Sequence, residues 1–313
     1  MRFGVKRVLI PLIFLLSACL PSLEIEQEPA IIPGAQAQTV TLGEYETYYE
    51  VIGEGPAVVM VHGIGGGSSG FQYRKNAPAL AAAGYRVYVI DLLGFGRSAH
   101  PERRYTQDLY VEQLTQFLEE VSGEASLVAN GLSAAYAIRI AAERPELAES
   151  LVLISPTGYE RLARPQNEAR IEAFEQFSGF AGNVLYAALL DEGTQRFFLI
   201  DAYAGRESLT PEVLATYDRN LKVENAKWAV LSFISGNLDQ DVSSLWTGVT
   251  QPTLITWGTE ADTTPIGDAA DFLRARPETE FVPFTGAKLL PNEDRAETFN
   301  EVVLEFLARS GRQ

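Results

Sequence analysis

Residues 126–142 read Ser-Leu-Val-Ala-Asn-Gly-Leu-Ser-Ala-Ala-Tyr-Ala-Ile-Arg-Ile-Ala-Ala. A short apolar strand runs into a tight turn at Gly131 and then into a helix of small residues. This strand–turn–helix decides the reading of the whole chain. Upstream, Ala57–Val61 is a continuous apolar run, the pattern of a parallel strand buried on both faces. It ends in His62-Gly63-Ile64-Gly65-Gly66-Gly67.

Further elements follow in alternation. Thr47–Ile52 alternates as a strand should, and Gly53-Glu54-Gly55-Pro56 makes a turn. A short helix reaches Ala83, and a strand spans Tyr85–Ile90. The glycine-rich turn Asp91–Ser98 leads to a helix over about 106–121, and that helix leads back to the opening stretch. Strand and helix in this order predict an α/β fold, a doubly wound and mostly parallel sheet. Past Ser155 the strand pattern stops. Residues 168–177, 184–190, 194–203 and 211–232 carry helical apolar spacing. Strands resume at Thr253–Trp257 and Glu280–Phe284, and a last helix covers about 293–308.

Three segments together resemble the α/β-hydrolase family: His62-Gly63 after a strand, the Asp91–Ser98 loop, and the turn at Gly131. The resemblance covers residues 45–155 and 250–308. It implies a nucleophile elbow of pattern G-x-S-x-G and a helical cap inserted after Ser155. The expected layout is a core over 39–155, a cap over 156–249 and the rest of the core over 250–313.

The family's catalytic side chains are not matched. Gly131 stands where the nucleophilic serine is expected, with Ala129 and Ser133 at the flanking glycines. Ala261 stands at the acid position, with Asp262 one residue late. Leu289 falls on the histidine position, or Lys288 after a one-residue slip, and no histidine follows His100. An imidazole matters because it takes and returns a proton near neutral pH. The oxyanion loop is intact: after His62-Gly63, the backbone N–H groups of Ile64 and Leu132 take the donor places.

Three functional expectations follow. The leading one is a hydrolase-like fold that binds an apolar small molecule or a partner under its cap without efficient hydrolysis. A second is a serine ester hydrolase with displaced machinery, in which Ser133 attacks, Lys288 is the base and Asp262 assists. That requires Lys288 to lose its proton near neutral pH. The third is a structural or interaction protein whose pocket is filled by side chains. Two isolated histidines and no Cys/His/Asp cluster at ligand spacing imply no metal. Gly65-Gly66-Gly67 lacks the Lys-Ser/Thr of a phosphate loop, so no cofactor is expected.

The N-terminus reads as an export signal. Arg2, Lys6 and Arg7 precede the apolar run Val8–Leu16, and Leu16-Ser17-Ala18-Cys19 follows. The run is too short to span a bilayer. The ending resembles a bacterial lipoprotein signal, which implies cleavage of residues 1–18 and lipidation of Cys19. Two or three acyl chains on that residue anchor a protein stably, whereas one chain is marginal. Residues 19–38, rich in Pro, Glu, Gln and Ala, read as a tether. The expected location is the extracytoplasmic side of a bacterial membrane. Cys19 is the only cysteine, so no disulfide staples the domain. A net charge of −16 argues against nucleic acid as a partner. Neither composition nor periodicity specifies an oligomeric state.

Overall fold

The computed structural model of the chain describes residues 29–205 and 208–311. Among them one sheet holds eight strands: β1 (Gln36–Leu42), β2 (Tyr45–Ile52), β3 (Ala57–Val61), β4 (Arg86–Ile90), β5 (Ala125–Asn130), β6 (Ala148–Ile154), β7 (Thr253–Gly258) and β8 (Glu280–Phe284). Their spatial order is β1-β2-β4-β3-β5-β6-β7-β8. β1 and β2 form an antiparallel hairpin that meets β4 antiparallel, and the remaining pairs are parallel. This is the doubly wound, mostly parallel sheet of an α/β fold.

The apolar runs explain the layering. Along β3, Val59 and Val61 face one side of the sheet, and Val58 and Met60 face the other. All four are essentially inaccessible, and burying each contributes about 1.5–3 kcal/mol. The first side is covered by α2 (Gln107–Phe117), α3 (Leu132–Glu143) and α9 (Ala269–Ala275), which supply Phe117, Tyr136 and Phe272. The second is covered by α1 (Ala77–Ala82) and α11 (Ala296–Ser310), which supply Leu80, Phe299 and Phe306. A one-turn helix, α10 (Pro291–Asp294), precedes α11.

Between β6 and β7 the chain leaves the sheet and, among the described residues, builds five α-helices over its carboxyl edge. They are α4 (Glu168–Ser178), α5 (Phe180–Leu189), α6 (Glu192–Ala202), α7 (Pro211–Leu221) and α8 (Lys227–Ile234). α7 starts on a Thr210 side chain that accepts from the Val213 N–H, with Pro211 in the first turn, a favourable helix start. The single helix expected over 211–232 is two. The chain breaks after Leu221, and Asn225 takes a left-handed φ of 65°. α5 begins at Phe180, earlier than the 184–190 reading.

The N-terminal boundary also moves. β1 begins at Gln36, inside the stretch read as tether, and Ile32 is already buried. The buried Glu50 carboxylate accepts from the Ile31 and Ile32 N–H groups, both at 2.7 Å. β1 is an edge strand with most residues at least partly exposed, so its sequence lacks the apolar alternation that marks a strand. The signal segment, Cys19 and the first part of the tether lie outside the described residues.

Candidate active site

β5 is buried along its whole length and delivers the chain to Gly131 at the sheet's carboxyl edge. Gly131 has φ 57° and ψ −119°, a conformation that L-residues reach only under strain. A Cβ built there meets nothing within 4 Å. The turn is pinned by its backbone: Gly131 N–H donates to Ile154 O at 2.9 Å, and Gly131 O accepts from Ala134 and Thr157 N–H. The backbone therefore holds the sharp turn of a nucleophile elbow, with glycine at its apex.

Above the elbow lies a cavity of about 690 Å³, walled by the cap residues Phe198, Leu199, Leu221, Val230 and Phe233. Of the aromatics in the inserted helices, Phe198, Tyr217 and Phe233 reach it. A cavity of this size excludes the reading in which side chains fill the pocket. Gly63, Ile64, Gly131 and Leu132 form part of its floor. The N–H groups of Ile64 and Leu132 have no hydrogen-bond partner among the described residues. Leu132 is the first residue of α3, where a helix leaves its N–H free by construction.

His62 does not face the cavity. Its ring is fully buried, contacts Gly63 O through Nδ1 at 2.9 Å, and accepts from Leu92 N–H at Nε2, 3.0 Å. These partners require a neutral ring protonated on Nδ1. Burial pushes its pKa down to about 4. His62 thus ties the loop after β3 to the loop after β4.

The displaced machinery is not assembled. Ser133 is fully buried, and its Oγ donates to His62 O at 2.7 Å, which fastens α3 to the oxyanion loop. Lys288 Nζ donates to Ile200 O at 3.0 Å and lies 3.4 Å from Asp262, whose side chain is largely exposed. Neither Ser133, Lys288 nor Asp262 lines the cavity, and Ala261 is buried away from it. Leu289 does line it, with no group to titrate.

Four polar side chains that sequence reasoning missed do line it: Asn130, Ser155, Thr157 and Thr264. In each, one buried polar atom has no hydrogen-bond partner among the described residues: Asn130 Nδ2, Ser155 Oγ, Thr157 Oγ1 and Thr264 Oγ1. A buried, unpaired polar group costs about 1–3 kcal/mol, so four around one cavity point to a polar ligand. Ser155 also sits at φ 43°, strain that accumulates at functional positions. The signal was available: these residues end or follow apolar strands at the sheet's carboxyl edge, where open α/β sheets bind ligands.

Comparison with known proteins places these features. A family model described as the alpha/beta hydrolase family matches residues 58–302. A 2-hydroxy-6-oxononadienedioate/2-hydroxy-6-oxononatrienedioate hydrolase of a Pseudomonas species is 26% identical, over 80% of this chain and 88% of its own. A 2-hydroxy-6-oxo-6-phenylhexa-2,4-dienoate hydrolase of Burkholderia cepacia is 27% identical, over 85% and 93%. The solved structure of a serine hydrolase involved in carbazole degradation superposes with a TM-score of 0.73 at 22% identity, over 88% and 99%. These relatives, named as hydrolases and aligned over most of both chains, overturn the expectation of binding without hydrolysis. That expectation weighed three absent side chains and gave little weight to the retained elbow, oxyanion loop and cavity.

Proposed function

The chain belongs to the alpha/beta hydrolase family, and from that premise we propose that it hydrolyses a small carbonyl compound carrying an acid group, held between elbow and cap. One observation carries this reading. The unpartnered N–H groups of Ile64 and Leu132 sit at the floor of the same cavity as the four unpaired polar atoms. The first pair suits the oxyanion that develops when a carbonyl is attacked. The second group suits a carboxylate, since Asn130 Nδ2 donates and the three hydroxyls rotate to donate. The relatives named as dienoate and dienedioate hydrolases act on acids of this kind.

Gly131 offers no side chain to acylate, so the attack is by water in the open space above it. Water adds to the carbonyl carbon, the two N–H groups hold the resulting oxyanion, and collapse releases the leaving group with water's proton. Oxyanion stabilisation and binding without a triad give roughly 10³–10⁴-fold acceleration over water. The displaced Ser133–Lys288 route has no support in the geometry, because Ser133 Oγ is committed to His62 O.

The test is a substrate panel of p-nitrophenyl esters and a 2-hydroxy-6-oxo-dienoate, run with the parent, Ser133→Ala and Leu132→Pro. Proline is tolerated at the first position of a helix but removes one oxyanion donor. The parent should exceed the buffer rate, Ser133→Ala should match the parent, and Leu132→Pro should lose roughly 10²-fold or more. A parent no faster than buffer overturns the proposal, and loss on Ser133→Ala together with a covalent acyl adduct on Ser133 of the parent, seen by mass spectrometry, replaces it with a serine mechanism.

We also propose that the protein is exported and anchored through a lipid on Cys19, a reading supported by Leu16-Ser17-Ala18-Cys19 after the apolar run.

A further inference from the structure

The large apolar side chains that the fold leaves in solvent are not scattered. Phe180 is 84% exposed, Phe197 70%, Phe198 56%, Val184 55% and Ile200 44%. The remaining exposed large apolar residues among those described, Ile171 and Ile234, also lie in the cap. α5 concentrates the effect. From Gln176 to Leu190 there is no charged residue. Its outward positions Phe180, Ala181, Val184, Ala187 and Ala188 are exposed, and Asn183 alone interrupts them with a polar group. A surface helix of a water-soluble domain ordinarily carries charge on this face. Soluble monomers rarely expose apolar patches of this kind without a use.

We propose that this face of the cap is a docking surface for a lipid bilayer with zwitterionic headgroups. Ten residues of α5 are too few to cross a membrane, but a helix apolar on one side lies in the headgroup boundary. The path of the chain selects lipid as the occupant. Ile31, near the start of the described residues, packs against the apolar cluster that contains Leu199 and Tyr203. Leu199 lies on the inner side of α6, the helix whose outer side exposes Phe197 and Ile200. The N-terminal segment therefore joins the domain beside the apolar face. From Cys19 to Ile31 the chain reaches at most roughly 40 Å. On the anchored reading proposed above, on which this inference rests, a lipid on Cys19 tethers the domain to the bilayer from this side. The net charge of −16 disfavours anionic headgroups, which sets the lipid class. Phe198 belongs both to this face and to the cavity wall, so the mouth of the cavity opens where amphiphilic substrates partition. The proposal does not depend on the hydrolytic mechanism.

The test compares two variants of the full chain on phosphatidylcholine vesicles with brominated or unbrominated acyl chains. Phe197→Trp puts a fluorophore on the docking face, and Glu305→Trp puts one on α11, beside the start of β8 where Arg309 bridges Glu305 and Glu280. The emission of the parent's own tryptophans is subtracted. Bromine should quench about half of the Phe197→Trp emission at headgroup-boundary depth and leave Glu305→Trp unchanged. Quenching should weaken when anionic lipid replaces half of the phosphatidylcholine. Vesicle-bound protein with no quenching at Phe197→Trp means the lipid anchor alone holds it, and overturns the proposal. So does a stable dimer that Phe180→Ser converts to monomer, since the face then belongs to a second copy.

Discussion

Gly131 concentrates the residue-scale argument. Its φ of 57° and ψ of −119° impose strain on any side chain, while the space above it is open. Gly131→Ser should therefore fold, with a loss of about 1–3 kcal/mol that urea denaturation can measure. It should not gain fast ester turnover, because no imidazole is at hand to activate the hydroxyl. His62 supports a second prediction. Burial holds its pKa near 4, below the unfolded value near 6.5. Its neutral form thus contributes stability that is present above pH 6.5 and is lost as pH falls through 4. Asp91 has the opposite sign. Burial lifts its carboxyl to about 6, so its contribution is present below the unfolded value and lost as pH rises through 6. Urea midpoints of the parent and His62→Gln, taken from pH 7 to pH 4, isolate the histidine. The stability difference between them should shift toward the variant by on the order of 3 kcal/mol as the pH falls. An unchanged difference means that His62 does not stay neutral.

At the scale of elements, legibility followed burial. β3, β5 and β7 were readable because a strand covered on both faces must be apolar throughout. β1 was not, since an edge strand answers to solvent along much of its length. The helices of the cap were visible as helices, but the break between α7 and α8 was not, because the left-handed turn falls on Asn225 and carries no glycine. The elbow was legible as a backbone shape, and the empty triad positions as a pattern. The polar cluster at the cavity floor was not, since single Ser and Thr residues in loops look like any others until strand ends gather them. The cap is latched to the glycine loop through α7. Asn220 Nδ2 donates to Gly67 O at 2.9 Å and Ser69 Oγ at 3.1 Å, and Gln72 Nε2 donates to Tyr217 OH at 3.0 Å. Asn220→Ala leaves a buried carbonyl unpaired and should cost about 1–3 kcal/mol. If the cap shapes substrate binding, KM should rise more than kcat falls. A change confined to kcat argues against the latch.

For the whole molecule, charge and cysteine count make two further expectations. An acidic surface of net −16 repels itself, so raising salt from low to physiological strength should increase the melting temperature through screening. A reductant should leave that temperature unchanged, since the lone cysteine at position 19 closes no bridge within the domain. A reductant-sensitive melt places the thiol in a disulfide between two chains.

The long excursion between β6 and β7 is a crossover between parallel neighbours: it leaves after Ile154 at the carboxyl edge and returns at Thr253, which pairs with Leu151 one strand-length back. The closure cost of a loop grows only as the logarithm of its length, about 0.6 kcal/mol per doubling. The sheet therefore accepts excursions of very different size and shape between the same two strands. The cap helices behave as an exchangeable module, and a graft that starts after Ser155 and ends before Leu238 can replace the substrate chamber while leaving Leu238, Val242, Trp246 and Val249 in the core against the sheet.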